Sequence, residues 1–408
     1  MMGLGKFFGK IRGEPTQDWF AGELIRMIRA AGDAREYRYD RGEGRIVRMD
    51  EDSPGAGINL SNMFQRYLAM SKKDRPEHLR ICLRTILASR RELPDDFEAA
   101  RHDLRPRLWS RFSFEMMRLD RRLGSGLDMT EVPSRPIGDH LVLTLAYDWP
   151  ESVQSINQGN LDTWGVTFDE AMEAATSNLG EATEGYGKFG DLAFYAFASG
   201  DSYDATRIVL TDLVSSIEVP GRPVAMVPNR DTLFVVGEDD EDALALLAKL
   251  AVDGLAEPYA ISAFPLVLDD GEWAGWSPPE GHPARPQFNE LRSQATGQHY
   301  AEQKEKLDAI HQKEGIDLFT ASFAGGQTND GRLVTYCTWG DGVDALLPET
   351  GTIVLMNEAE GMAALGDWAR VREVVGHRME PTEHYPPRWR VRSFPDGAEL
   401  AAIGKGNL

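Results

Sequence analysis

The sequence predicts an α+β protein in which mixed and antiparallel sheets pack against helices. Three observations carry that expectation. Pro223–Leu250 reads as strand, tight connection, strand, acidic cap and helix. Asp139–Asp148 is a near-continuous apolar run of strand length, the pattern of a central strand. Elsewhere helical periodicity is bracketed by its own start signals. The clearest is the box Thr167-Phe168-Asp169-Glu170, whose first and last side chains can satisfy each other's backbone amides.

Taken in order, residues 1–16 form a flexible lead. Phe7, Phe8 and Ile11 among Lys6, Lys10 and Arg12 offer at most a weak membrane-surface contact. The lead lacks the long apolar core of a secretory signal, and no apolar run reaches the roughly 18 residues of a membrane span. Residues 17–123 are read as an N-terminal α/β region with arginine-rich helices. Asp18–Ala31 places Trp19, Phe20, Leu24 and Ile28 on one face. Glu36–Tyr39 and Arg45–Met49 flank a turn, Asn62–Met70 and Pro76–Arg91 read as helices, and Arg111–Phe114 reads as a strand. A soft boundary follows at Gly124-Ser125-Gly126.

Residues 124–278 are read as a central α+β domain. Val153–Asn157 is an edge strand, Asn160–Gly165 a turn anchored by Trp164, and Asp191–Ala198 a second central strand. Asp204 is placed to cap a helix over Ala205–Ile217. Acids at the start of helix Asp242–Val252 suit its dipole. Tyr259–Leu268 is a strand bent at Pro265, and Asp269-Asp270-Gly271 turns it back toward Trp276. Residues 279–286, within the proline-rich stretch Ser277–Pro286, form a linker. Residues 287–408 form a C-terminal α+β domain with a polar helix at Gln287–Lys313, a hairpin over Asp317–Trp339, a strand at Thr352–Met356, a helix around Met362–Val375 and a last strand at Arg388–Phe394. Ala225–Leu233 is echoed by Ala345–Ile353, which suggests that this domain is a diverged copy of the central one.

Charge divides the chain. Its formal net charge is -21, yet residues 1–122 hold 25 Lys and Arg against 19 Asp and Glu. A mildly basic front therefore joins a strongly acidic body, which repels nucleic acid and anionic membrane. Between Arg75 and Arg122 stand twelve arginines and no lysine among eight acids. Guanidinium groups favour bidentate pairing, so this segment either docks internally or meets a partner. The cysteines, Cys82 and Cys337, lie far apart and outside any CxxC pair, as expected of reduced, buried thiols in a cytoplasmic protein.

Several stretches together resemble the YtpQ-like bacterial family, whose function is unknown. They are Gly57–Leu60, Trp164–Thr167, Gly200–Ile208, Val224–Asp231 with Leu233–Val236, and Ile261–Leu266 with Asp269–Gly271. The resemblance covers roughly residues 18–278, and the C-terminal part looks like an extension. It implies a cytoplasmic α+β protein and supplies no catalytic residues.

No GxxxxGK[ST] loop, GxSxG elbow, HExxH pair or EF-hand loop occurs, so no cofactor is expected and the balance leans away from an enzyme. His377 and His384 flank Glu380 and Glu383, but Pro381 breaks the spacing, and a polar surface loop rather than a metal site is expected. The best candidate binding residues are Asp201, Asp204, Arg207, Asn229, Arg230 and Asp231, polar groups at strand ends where loops converge. Asp204 and the Asn229–Asp231 turn equally suit a cap and a turn. The leading functional reading is a non-catalytic protein-binding or regulatory protein. The alternatives are a small-molecule or anion binder, or an enzyme, using this Asp/Arg group, and an acidic immunity-type decoy that neutralises a basic partner.

Overall fold

The structure is a computed structural model that describes residues 15–33, 35–49, 57–88, 93–124, 132–150, 152–327, 333–357 and 361–405. The lead before Pro15, most of the soft break at Gly124–Gly126 and the turn between the Asp317–Trp339 strands lie outside them.

The architecture is α+β, with five sheets among the described residues. At the front, strands Tyr37–Asp40, Arg45–Arg48 and Gly57–Asn59 form an antiparallel sheet. Helices Gln17–Ala30, Ser61–Ala69 and Arg75–Ala88 pack with it around Phe20, Leu24, Ile28, Ile46, Leu60 and Tyr67. Thr16 caps the first helix by accepting from the Trp19 amide.

Two sheets face each other in the centre. One is built on Leu141–Trp149, which pairs with Leu104–Ser110, Ser134–Ile137 and Ser152–Ser155. The other has six strands in the spatial order Glu272–Gly275, Leu266–Asp269, Pro223–Asn229, Thr232–Gly237, Tyr195–Phe197, Gly187–Lys188. Leu108, Leu143 and Leu145 meet Ala225, Val227, Leu233 and Val235 in one shared core. Strand alternation sends Val224, Met226 and Val236 to the opposite face, where Ala243, Leu244, Leu247 and Ala251 of helix Glu241–Ala256 cover them. The Pro223–Leu250 stretch thus supplies both cores.

The C-terminal part holds two four-stranded sheets. One contains Phe319–Thr320, Ala345–Pro348, Arg388–Val391 and Met379–Pro381; the other contains Ala324–Gln327, Leu333–Gly340, Thr352–Asn357 and Gly361–Asp367. Helix Arg285–Glu314 links the parts. Its 30 residues span about 45 Å. Phe288 and Leu291 enter the central core, while Leu307 and Ile310 meet Leu119 and Leu346.

Several local expectations are corrected. Arg111–Phe114 is helical: Ser110 ends the strand and caps helix Arg111–Leu123 by accepting from the Ser113 amide. Burial then recurs at Phe112, Glu115 and Leu119, a helical spacing that four residues of alternation could not reveal. Residues Gln158–Trp164 form a short helix capped by Asn157, not a turn, although Trp164 does anchor it by donating to the Pro94 carbonyl at 2.8 Å. In Asp191–Ala198 only Tyr195–Phe197 is strand, and it lies second from the sheet edge. In Tyr259–Leu268 only the part from Leu266 is strand. Ala205–Ile217 splits into the 3-10 turn Ala205–Val209 and helix Thr211–Ser215, and Asp204 caps neither. Around Met362 the chain is strand Gly361–Asp367, and the helix starts only at Trp368. Small residues mislead there. Gly366 sits where an added Cβ would meet Ile403 at 2.9 Å, so this run serves close packing rather than helix formation. The echo also pairs differently. Pro223–Asn229 and Thr232–Gly237 form one hairpin, whereas Ala345–Pro348 and Thr352–Asn357 belong to separate sheets.

Arg388 closes the crossing of the long helix with the C-terminal strands. It is fully buried and has no carboxylate in its shell of hydrogen bonds. Its guanidinium donates to Gln303 Oε1 and to the carbonyls of Ala321 at 2.9 Å, Leu346 at 3.2 Å and Tyr300 at 3.2 Å. Burial pushes its pKa down to about 10, still charged at neutral pH. Removing it takes a donor from four buried oxygens and leaves a cavity at the crossing, although the Leu346 carbonyl keeps the Ala321 amide. Arg388→Ala is expected to lower unfolding stability by at least about 3 kcal/mol in urea titration. Truncating the exposed Arg370 beside Glu373 should leave the midpoint nearly unchanged.

Candidate functional site

The six residues singled out at the strand ends form two adjacent, self-paired groups. Arg207 is fully buried. Its Nη2 donates to Asp201 at 2.6 Å, its Nη1 to Asp204 at 3.1 Å and its Nε to the Thr183 hydroxyl at 3.0 Å. Asp204, also fully buried, turns back to accept from the amides of Ser199 at 2.7 Å and Gly200 at 3.0 Å. The ion pair therefore braces the 199–204 loop. In the second group Asn229 accepts from the Asp231 amide and donates to the Gly254 carbonyl. Arg230 pairs with Asp231 at 3.0 Å and lies 3.8 Å from the centre of the Tyr259 ring. The Ala205 amide donates to the Arg230 carbonyl and ties the groups together. Arg66 of the front helix reaches Asp231 at 3.8 Å, docking the front on this turn. Arg107 stands close by over the Trp109 ring at 4.2 Å, its pKa lowered to about 10 chiefly by burial.

A second locus lies at the seam between the central and C-terminal parts. Helix Arg111–Leu123 packs along helix Arg285–Glu314 and beside the Leu104–Ser110 strand that leads into it. His140 stacks on Phe264 with ring centres 3.9 Å apart and hydrogen-bonds through Nδ1 to the Tyr385 hydroxyl. His299 stacks on Phe112 at 3.9 Å. Burial lowers both histidines to about 4, and His140 further lowers His299. Both rings are neutral at pH 7, and burial raises the Tyr385 phenol, so it is neutral too. Beside them Glu115, a buried carboxylate, accepts from Arg118 at 2.9 Å and contacts His384 Nδ1 at 2.7 Å.

Two cavities flank this helix. One of about 400 Å³ lies between the ends of helices Glu241–Ala256 and Arg111–Leu123 and the long helix, lined by Val252, Leu255, Ile261, Leu291 and Ala295 with Gln298 and Glu302. One of about 260 Å³ lies between the helix, Val142 and Tyr385. The histidines near Pro381 do not share a site. His384 turns to Glu115 and is largely buried rather than on a surface loop, while His377 lies 3.3 Å from Glu399. No group of three or more His, Cys, Asp or Glu side chains able to hold a metal occurs among the described residues.

Sequence reasoning missed the seam because its members are remote. His140 and Tyr385 are 245 residues apart, so no motif spacing links them. The one local trace was a histidine at the mouth of the most apolar strand.

Comparison with known proteins adds the family context. This chain is similar to UPF0354 proteins. A UPF0354 protein of Listeria innocua is 26% identical over 132 residues, which is 31% of this chain and 50% of the relative. One of Listeria monocytogenes is 26% identical over 158 residues, 35% of this chain and 59% of the relative. One of Bacillus thuringiensis is 28% identical over 145 residues, 33% and 53% of the two chains. The chain spans about half the length of these UPF0354 relatives, and their names state no activity. No family model and no solved structure matches the chain.

Two expectations follow from the geometry. Asp204→Ala leaves Arg207 paired with Asp201 but strips the Ser199 and Gly200 amides of their buried acceptor, and should cost about 2–4 kcal/mol in denaturant unfolding. The histidines give a pH effect of defined sign. Their folded values of about 4 lie below the unfolded value of about 6.5, so their stabilisation is complete above pH 6.5 and lost as pH falls toward 4. A total loss of roughly 2–5 kcal/mol is expected over that window, and His140→Gln with His299→Gln should flatten the urea-midpoint profile there.

Proposed function

We propose that this chain is a non-catalytic protein-binding component whose larger seam cleft receives an apolar segment of a partner. The observation that carries this reading is the cleft itself. It is open, of about 400 Å³, and joins aliphatic side chains of Val252, Leu255, Ile261, Leu291 and Ala295 to the polar groups of Ser113, Gln294, Gln298 and Glu302, with Val252 53% exposed at its rim. An exposed apolar lining with a polar border is the form of a recognition surface.

The neighbouring polar groups support binding over turnover. His140 and His299 are neutral and stacked, far below the pKa that serves general base catalysis near pH 7. The thiols of Cys82 and Cys337 are pushed up to about 11 by burial, which suppresses thiolate chemistry. Arg207 directs its donors to Asp201, Asp204 and the Thr183 hydroxyl and leaves little for a ligand. Glu302 at the border and the acidic body favour a partner whose apolar anchors are flanked by Lys or Arg. That preference joins the protein-binding reading to the acidic-decoy reading without requiring an immunity role.

Co-purification from the native host tests this. The wild-type chain should hold a protein partner at low salt and release it at high salt. Ala295→Trp, which fills the cleft, should hold none while keeping its melting temperature. A partner held equally by both variants, or a small molecule recovered in place of a protein, would overturn the proposal.

A further inference from the structure

The smaller cavity has a different chemistry and stands independently of the protein-binding reading. It opens on another face of helix Arg111–Leu123. Its floor is apolar, made by Phe114, Val142 and the ring of Tyr385. Its border carries Arg111, Arg118 and Arg121. Arg111 and Arg118 are two helical turns apart, about 10.5 Å along the axis.

These arginines are not equivalent. Arg118 is engaged by Glu115, whose buried carboxylate also meets His384. That group is internally balanced and adds little charge to the cavity. Arg111 is exposed and has no carboxylate partner among the described residues. Its guanidinium lies 4.6 Å from the centre of the Tyr385 ring and reaches only the Asp139 carbonyl, at a long 3.5 Å. A guanidinium held over an aromatic ring with no carboxylate beside it keeps donors available for a planar anion. The acid left at the border, Glu383, is exposed.

We propose that this cavity binds a small carboxylate carried on a flat apolar body. The carboxylate pairs with the edge of Arg111, and the body lies against Phe114, Val142 and Tyr385. The apolar floor and small volume select against a strongly hydrated dianion such as phosphate, which would lose its water without enough donors in return.

Calorimetric titration of the full chain at low salt with benzoate, benzamide and inorganic phosphate tests the assignment. Benzoate should bind with a Kd below about 1 mM, and the other two at least about tenfold more weakly. Arg111→Gln should weaken benzoate at least about tenfold, and Glu383→Gln should tighten it, because each changes charge at the border without touching the core. Failure of benzoate to bind, equal binding of benzamide, tighter binding of phosphate or unchanged affinity in both variants would each overturn the assignment.

Discussion

The C-terminal strands are held to the long helix by a buried cation whose hydrogen bonds, among the described residues, all go to neutral oxygens. Arg388 lies at the crossing of the long helix and the Ala345–Pro348 and Arg388–Val391 strands, and four oxygens of the protein take the place of water around it. A buried charge is tolerated only where its donors are matched almost completely. The fit therefore fixes several elements at once. Gln303 must face inward from the long helix, and its amide also donates to the Pro386 carbonyl. The Tyr300 hydroxyl, one turn away, donates to the Pro387 carbonyl. The 384–388 segment is thus pinned along its length, and this pinning presents His384 to Glu115 and Tyr385 to His140. The seam exists because Arg388 is satisfied behind it.

The same constraint governs the other ionic groups. The arginine-rich segment that joins a basic front to an acidic body is largely absorbed by the fold. Arg122 pairs with Glu314 at 2.5 Å, and Lys306 with Asp120, clamping helix Arg111–Leu123 to the long helix. Arg80 and Arg84 share Glu77 on their own helix. Exposed pairs of this kind contribute little stability individually. Their effect is to fix orientation. Arg111 differs from these pairs by its position: it stands at the first turn of its helix, exposed and above an aromatic ring rather than beside an acid.

What was legible in the sequence was local. Pro223–Leu250 was read correctly as strand, strand and helix because alternation, turn residues and an acidic cap agree within it. The Thr167 capping box was equally plain, with Thr167 and Glu170 satisfying each other's backbone amides. The failures arose where short runs satisfied two periods. Arg111–Phe114 alternates like a strand over four residues, and only the burial of Glu115 and Leu119 beyond it shows a helix. At Met362–Gly366 a run with helix-forming alanines is strand, and its Gly366 lies where Ile403 and Val371 approach too closely for a larger side chain. The Asp/Arg residues lie on adjacent loops, but sequence could not say that Arg207 would be swallowed whole by its neighbours. The seam was invisible because it is assembled by long-range docking of the 384–388 segment.

The contrast between the two loci bears on what each can do. Around Arg207 every strong donor meets an internal acceptor and the guanidinium is sealed, so the group can rigidify the 199–204 loop but offers no vacant valence. Around His140 and His299 the rings are stacked and neutral, yet the helix that brings them together leaves a cavity on each of two faces. Completed polar pairing produces rigidity, and incomplete packing beside it leaves concave surface with a fixed shape. Helix Arg111–Leu123 stands at that junction, clamped by Arg122 at one end and capped by Ser110 at the other. Recognition at the seam therefore falls to the surfaces that this helix leaves uncovered, and the ionic clamps hold those surfaces in register.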